Sequence, residues 1–189
     1  MNYNHELWSE YTSDNQSELQ LDLSKFIYHI TLGLGATSVI EAGCNVGNNL
    51  SAFPESFNVT GMDMNKSALE IAQKNFSNFT FYEDDIKATN FPDSHFDVVF
   101  TRGVLIHIPQ SDLDKTLQEF IRISKKWIFN LEYFGEDGKM INWERGDNLL
   151  WYRNMKEQWK KFDVEIMSDF EIPIELDKNK CRFTLVRKI

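Results

Sequence analysis

The chain has 189 residues, of which 42% are hydrophobic and 26% charged, a composition typical of one folded domain with little disordered sequence. Acidic residues outnumber basic ones by 29 to 20, so the formal net charge of -9 disfavours nucleic acid and anionic membrane surfaces as partners. The sequence contains neither a membrane-spanning run nor the pattern of a signal peptide. Cys44 and Cys181 lack metal-ligand spacing, so we expect a reducing cytoplasm, no disulfide and no metal site.

The N-terminal part of the chain predicts a helix followed by a strand, a tight turn and a second helix. Apolar residues recur at helical spacing over 19–34, and glycines at 33 and 35 end the pattern. The β-branched run 38–41 predicts a strand that ends near Gly43, and residues 48–53 predict the start of a helix.

The same alternation continues as far as residue 132. The periodicity predicts strands over 57–64, 79–82, 96–100 and 127–132, and helices over 67–76 and 111–124. Alternating strands and helices indicate a doubly wound α/β fold with a parallel sheet, whose ligands bind beyond the carboxyl ends of the strands.

The C-terminal part has a different pattern. Residues 163–170 and 181–188 read as two strands of an antiparallel hairpin, and the polar-aromatic stretch before them predicts a helix near 149–162. We expect one domain over 1–189, made of an N-terminal helical cap (1–35), a cofactor-binding core (36–133), an acceptor-side cover (134–162) and the C-terminal hairpin (163–189).

The strongest motif is Glu41-Ala42-Gly43-Cys44-Asn45-Val46-Gly47, at the predicted turn after the first strand. Glycines there let the backbone turn sharply and approach a ligand. A dinucleotide fingerprint requires glycines where Asn45 and Asn48 stand, so an NAD-linked oxidoreductase is the weaker alternative. Glu41 suits a ligand that carries an ammonium group, such as the methionine end of S-adenosylmethionine.

Acidic residues also end the next two predicted strands. Asp63 follows Gly43 by twenty residues, where a carboxylate can accept hydrogen bonds from both ribose hydroxyls. Asp84 and Asp85 end the third strand, where a carboxylate and the Ile86 N–H can together recognise adenine. Asp85 is the better candidate because it lies twelve residues before Asp97 in the motif D-I-x-x-x-x-F-P-D-S-x-F-D.

These motifs, in this order over residues 38–133, resemble the class I S-adenosylmethionine-dependent methyltransferases. The resemblance implies a Rossmann-like sheet of seven strands, mostly parallel with an antiparallel C-terminal strand, and S-adenosyl-L-methionine as the cofactor. The cofactor-binding residues that it implies are Glu41, Gly43, Cys44, Asn45, Gly47, Asp63, Met64, Asp85, Ile86, Thr101 and Arg102.

Within that class, the chain is similar to the methylases associated with pseudaminic acid biosynthesis. The similarity rests on G-C-N-V-G-N-N-L, T-R-G-V-L-I-H-I-P and L-E-Y-F, and extends to Trp8, to Glu144-Arg145-Gly146 and to Leu150-Trp151. It departs from the general pattern at Asn45, which replaces the middle glycine, and in the short C-terminal third. The resemblance implies a small polar acceptor, with a nonulosonic-acid-type sugar as the candidate.

Acceptor-side residues are expected after the fourth and fifth strands. Histidine has an unperturbed pKa suited to a general base, so His107 is the first candidate for that role and Glu132 the second. Tyr133 is placed to face the acceptor, and Arg145 to pair with an acceptor carboxylate through its guanidinium fork. A core histidine and surface positions for Glu132 and Tyr133 remain alternatives, as does a non-catalytic S-adenosylmethionine-binding module; the sequence leaves the oligomeric state open.

Overall fold

The computed structural model describes residues 4–15 and 19–189. Its helices are α1 (His5–Asn15), α2 (Leu21–Gly33), α3 (Lys66–Asn75), α4 (Gln110–Ile123) and α5 (Met155–Trp159). Its strands are β1 (Ser38–Ala42), β2 (Asn58–Asp63), β3 (Thr80–Glu83), β4 (Phe96–Arg102), β5 (Ser124–Tyr133), β6 (Val164–Glu171) and β7 (Cys181–Lys188). Two 3-10 turns cover Asn48–Leu50 and Leu105–His107.

The strands form one sheet in the order β3-β2-β1-β4-β5-β7-β6. Strands β1 to β5 pair in parallel, whereas β7 runs antiparallel to both of its neighbours, β5 and β6. The predicted seven-stranded α/β fold is therefore confirmed. The strand order reverses between β1 and β4, which opens a crevice at the carboxyl ends of these strands.

Helices cover both faces of the sheet, and successive β1 residues point to opposite faces. Val39 packs in the hydrophobic cluster that contains Leu23 of α2 and Leu69 of α3. Ile40 packs in the other cluster, with Leu117 of α4 and Trp159 of α5. Burial on both faces explains why the central strands read as continuous apolar runs rather than as alternating ones. In the described residues, no helix is both long and apolar enough to cross a membrane.

The helix predicted over 48–53 is wrong, because only the 3-10 turn Asn48–Leu50 forms there. Two asparagines begin the segment and Pro54 follows it, and the residue before a proline is disfavoured in the helical conformation. The chain therefore crosses from β1 to β2 without an α-helix on this connection.

The predicted cover helix over 149–162 is shortened to α5, Met155–Trp159. The residues before it form no helix and bond to the loop after β4 and to the end of β5: the Trp151 N–H donates to the Ile106 carbonyl at 2.8 Å and the Arg153 N–H to the Tyr133 carbonyl at 2.8 Å. The helix begins only after Asn154, whose side chain accepts the Glu157 N–H at 3.3 Å.

Asp97 fastens the amino ends of three neighbouring strands. Its Oδ2 accepts the Thr37 N–H (2.8 Å), the Thr37 hydroxyl (2.9 Å) and the Ser38 N–H (2.9 Å), and its Oδ1 pairs with the Lys125 ammonium at 2.8 Å. Burial alone raises the pKa of this carboxyl, but the hydrogen bonds from Lys125, Thr37 and Ser38 outweigh burial and hold the pKa well below its usual range.

We expect Asp97→Ala to lower the free energy of unfolding at pH 7 by about 1.5 to 3 kcal/mol, the usual scale for hydrogen bonds to a charged group. Because the pKa is lower in the folded state, the stabilisation is complete above the unfolded value of about 3.9 and is lost as the pH falls towards the folded value. The difference between the two proteins should therefore shrink below about pH 4. Urea unfolding at pH 7 and pH 3 measures it, and equal stabilities at pH 7 would contradict the role of Asp97.

Candidate functional site

A cavity of about 420 Å³ opens at the carboxyl edge of the parallel strands. The loops that follow β1, β2, β3 and β4 form its walls, and α1 and Leu149 complete them. Small-molecule sites commonly have volumes of about 300 to 1,000 Å³, so the cavity has the size and the position expected of a ligand site.

The turn after β1 requires glycine at position 43. Gly43 has a φ of 80°, and its N–H and that of Cys44 donate to the Met62 carbonyl at 2.7 and 2.9 Å. A Cβ at this position would lie 2.5 Å from the Val104 side chain of the loop after β4. Glycine therefore permits both the turn and the close approach of two loops that line the cavity.

The Asp63 carboxylate binds the backbone of both neighbouring loops. Its Oδ2 accepts the Asn45 N–H at 2.8 Å and its Oδ1 accepts the Asn65 N–H at 2.9 Å. Burial raises the pKa of this carboxyl, and these N–H groups oppose the rise. Asp63 lines the cavity beside Met64, and a carboxylate has about four acceptor sites, so it can accept further hydrogen bonds from a ligand.

The structure separates the two aspartates after β3. Asp85 lines the cavity with Ile86, while its Oδ1 accepts the Lys87 N–H at 2.9 Å. The Asp84 carboxylate instead accepts the N–H groups of Asp85 and Asn90 at 2.9 and 2.8 Å and lies outside this cavity. Of the two aspartates, only Asp85 therefore lines this cavity.

Glu41 does not contact the cavity directly, in contrast to the sequence interpretation. The side chain is fully buried, and its Oε1 accepts the Asn49 side-chain N–H at 2.6 Å, while Oε2 has no hydrogen-bond partner in the described residues. Asn49 lines the cavity in its place. Burial raises the pKa of Glu41 to about 8, so a cation bound nearby would favour its ionised form.

Arg102 contributes a cation to the cavity wall. Its Nη2 donates to Gln20 Oε1 at 2.9 Å and to Asp177 Oδ1 at 3.3 Å, whereas its buried Nε has no partner in the described residues. Burial lowers the pKa of this guanidinium, but the charge of Asp177 outweighs burial and raises it. The guanidinium thus brings a positive charge to the cavity wall.

Glu132 lies beneath the loop after β4 and not in the cavity, which argues against its predicted role as a base. It is 1% exposed, and it accepts the Thr101 hydroxyl (2.7 Å) and the N–H groups of Val104 (3.0 Å) and Ile106 (3.3 Å). Burial raises its pKa to about 7. The carboxylate therefore holds the backbone that leads to His107.

Thr101 belongs to the same buried network and also lies outside the cavity wall. Its hydroxyl oxygen accepts the Asn130 side-chain N–H at 2.8 Å, and Asn130 in turn accepts the Trp159 indole N–H at 2.7 Å. The predicted cofactor contact of Thr101 is replaced by a supporting role, because its hydroxyl proton is donated to Glu132. Gly47 likewise lies outside the wall, where a Cβ would come within 3.1 Å of the Phe76 ring.

His107 lines the cavity from the loop after β4. Its Nδ1 lies 2.7 Å from the Leu149 carbonyl, which can only accept, so Nδ1 carries the proton and Nε2 is left as an acceptor. Burial lowers the pKa of His107 to about 4, so the imidazole is neutral at pH 7. Its ring meets the Trp8 ring edge to face at 4.8 Å.

Arg145 and Tyr133 do not line the cavity. The Arg145 guanidinium pairs with Asp14 of α1 at 2.6 Å and lies over the Tyr11 and Trp143 rings at 5.6 and 6.0 Å. Tyr133 packs against the hydrophobic cluster on the α2 face, and burial raises the pKa of its hydroxyl. Arg145 and Tyr133, which were predicted to contact the acceptor, therefore make contacts within the chain instead.

Sequence reasoning missed the contribution of α1. Trp8, Tyr11 and Thr12 all line the cavity, as does Asn65. Only the spacing of Trp8 and Tyr11, three residues apart and hence on one helix face, could have indicated a shared contact. Trp8 appeared in the sequence interpretation solely through the family resemblance.

Residues 39–126 match the family model described as a methyltransferase domain. No curated protein matches the sequence significantly. Solved structures that resemble the chain include a chain of the complex between the Haloferax volcanii Trm112 methyltransferase activator and a methyltransferase, with 14% identity, a TM-score of 0.74 and coverage of 97% of this chain and 96% of that one.

Two further similar structures are methyltransferases with a bound ligand. Burkholderia thailandensis 1,6-didemethyltoxoflavin-N1-methyltransferase, with its substrate and S-adenosylhomocysteine, has 18% identity and a TM-score of 0.72 over 100% of this chain and 91% of that one. Magnesium protoporphyrin IX methyltransferase of Synechocystis, with bound S-adenosylmethionine, has 14% identity and a TM-score of 0.67 over 92% and 83%. Residues 39–126 therefore match a methyltransferase domain, and the chain has the fold of the methyltransferases that it resembles.

Proposed function

We propose that the chain transfers a methyl group from S-adenosylmethionine to a small polar acceptor that binds between α1 and the loop after β4. The observation that carries this proposal is a single cavity that joins the ends of three neighbouring parallel strands to one neutral histidine. The strand ends supply the cofactor half of the cavity, and His107 with α1 supplies the acceptor half.

The described residues match the polar groups of the cofactor. Asp63 would accept from the ribose hydroxyls, and Asp85 with the Ile86 N–H would bind the adenine edge. Arg102, a cationic side chain on the cavity wall, would bind the methionine carboxylate. Asn49, backed by the buried Glu41, lies where the ammonium group would meet the turn after β1.

S-adenosylmethionine supplies an electrophilic methyl group on its sulfonium, so the protein mainly has to align the acceptor lone pair behind that group. His107 would accept the proton that the acceptor loses, because its Nε2 is an unprotonated acceptor while Leu149 fixes the other ring nitrogen. Trp8 and Tyr11 would close the acceptor pocket and exclude water from it.

A nonulosonic-acid-type sugar is the acceptor that the family resemblance implies, and it belongs among the first compounds to be tested. The structure gives it less support than the sequence does, because the guanidinium expected to bind its carboxylate is paired with Asp14. We therefore propose only a small polar acceptor with an O–H or N–H group that can donate to His107. The free, buried Cys44 and Cys181 are compatible with a reducing cytoplasm.

Formation of S-adenosylhomocysteine during incubation with candidate acceptors tests the reaction itself. A non-catalytic module would bind the cofactor and form no product with any acceptor. An NAD-linked oxidoreductase would be stabilised thermally by NAD and not by S-adenosylhomocysteine, which would contradict the proposal.

Asp85→Ala should weaken S-adenosylhomocysteine binding about tenfold or more, because it removes a hydrogen bond to a charged group worth about 1.5 to 3 kcal/mol. Asp84→Ala is the matched control: the neighbouring carboxylate also bonds to loop N–H groups but lies outside the cavity, so affinity should stay nearly unchanged. Titration calorimetry measures both. Equal losses would mean that Asp85 acts only through the loop.

His107→Ala should leave cofactor affinity nearly intact and lower turnover roughly 100-fold or more, the usual scale for the loss of a general base. The measurement compares the dissociation constant for S-adenosylhomocysteine with kcat for an acceptor identified as above. Parallel losses in both would place His107 in the fold or the cofactor pocket, and unchanged turnover would show that alignment alone suffices.

Binding of the cationic S-adenosylmethionine should strengthen as the pH rises from 6.5 to 8.5, because Glu41 is largely protonated below its pKa of about 8 and must ionise to stabilise a cation. Glu41→Gln keeps the shape of the side chain and should flatten the pH dependence relative to the wild-type protein. Identical pH profiles for the two proteins would show that the ionisation of Glu41 does not affect binding of S-adenosylmethionine.

A further inference from the structure

Helix α1 is held against the domain by polar contacts rather than by burial in the core. Among its described side chains only Thr12 is buried, at 3% exposure, and none of them belongs to either hydrophobic cluster. The position of α1 therefore depends on a few hydrogen bonds, ring contacts and the Asp14 ion pair with Arg145.

The Thr12 hydroxyl connects α1 to two loops of the cofactor half. It donates to Asn45 Oδ1 at 2.8 Å and accepts from the Asn65 side-chain N–H at 3.0 Å. The same Asn65 amide also donates to the Trp8 carbonyl at 3.0 Å. The backbone N–H groups of Asn45 and Asn65 both donate to the Asp63 carboxylate. Thr12 of α1 is therefore linked, through either asparagine, to the residue proposed to bind the ribose.

This arrangement also explains why an asparagine stands in the glycine-rich turn. Asn45 has a φ of 47°, in the left-handed region that asparagine tolerates better than most residues. Glycine would adopt the same backbone freely, but it would lack the side-chain oxygen that accepts the Thr12 hydroxyl.

The same helix forms the wall of the acceptor half. The Trp8 ring lies 4.8 Å from the His107 ring and 6.0 Å from the Trp143 ring, and the Tyr11 ring lies 5.9 Å from that of Trp143. If α1 separates from the turn after β1, the pocket beside His107 loses this wall.

We infer that Thr12 is a positioning residue that fastens α1 to the cofactor turn through Asn45 and Asn65 and thereby couples cofactor binding to assembly of the acceptor wall. The inference rests on the proposed function, because it assigns the turn and Asp63 to the cofactor. The coupling is reciprocal by thermodynamic necessity: cofactor binding stabilises docked α1, and loss of the Thr12 contacts weakens cofactor binding.

Hydrogen exchange of α1 in the full chain, with and without saturating S-adenosylhomocysteine, tests the inference. We expect the ligand to slow exchange over residues 5–15 in the wild-type protein. Thr12→Val keeps the shape of the side chain but removes both hydroxyl bonds, so α1 should exchange about tenfold faster, a factor that corresponds to 1.4 kcal/mol. Affinity for S-adenosylhomocysteine should fall about fivefold, at the lower end of typical coupling.

Two variants separate this effect from a general loss of stability. Thr12→Ser retains the hydroxyl and should restore slow α1 exchange and near wild-type affinity. Thr31→Val removes the hydroxyl bond of another buried helical threonine, which donates to the Ile27 carbonyl in α2 at 2.9 Å, and should change neither α1 exchange nor affinity.

The outcomes distinguish the inference from the proposed function. Ligand binding without any change in α1 exchange, or unchanged α1 exchange in Thr12→Val, overturns the coupling and leaves the proposed function standing. Failure of the folded wild-type protein to bind S-adenosylhomocysteine overturns both. Failure of Thr12→Ser to restore slow exchange overturns the role of the hydroxyl.

Discussion

The site depends on one buried carboxylate, Glu132, at the end of β5. An uncompensated carboxylate in the interior is unfavourable by several kcal/mol, so it requires donors, and the loop after β4 supplies the N–H groups of Val104 and Ile106. These hydrogen bonds hold the backbone in place as far as Ile106, the residue before His107. Thr101, Asn130 and Trp159 continue the network to α5, so a helix on one face of the sheet helps to determine the position of the proposed acceptor pocket.

The sequence predicted the fold and the strand ends well, because both follow from backbone rules. Period-two and period-3.6 patterns locate strands and helices, and parallel strands bring their carboxyl ends together; hence Asp63, Asp85, Arg102 and His107 meet in one cavity. The glycine at position 43 was likewise predictable, since few other residues adopt a φ of 80°.

What the sequence could not predict was the partner of each charged side chain. Glu132 lies at the end of β5 and Arg145 in the segment after it, but tertiary contacts direct Glu132 to backbone N–H groups and Arg145 to Asp14, 131 residues away. Helix α1 has no apolar stripe, because it lies against polar loops and aromatic rings rather than a core. Apolar residues recur at helical spacing only where one face of a helix is buried in a core. A helix held mainly by a threonine hydroxyl therefore lacks this pattern in its sequence.

The extended segment before α5 is joined to the site through main-chain atoms. Its Trp151 and Arg153 N–H groups donate to main-chain carbonyls, and the buried Arg153 guanidinium binds the carbonyls of Leu105 and Ile108. A hydrogen bond to a main-chain atom does not depend on the side chain of the residue that provides that atom. A variant that keeps Arg153 could exchange most of the surrounding side chains, and so change what the cavity binds, while the loop that carries His107 retains its shape.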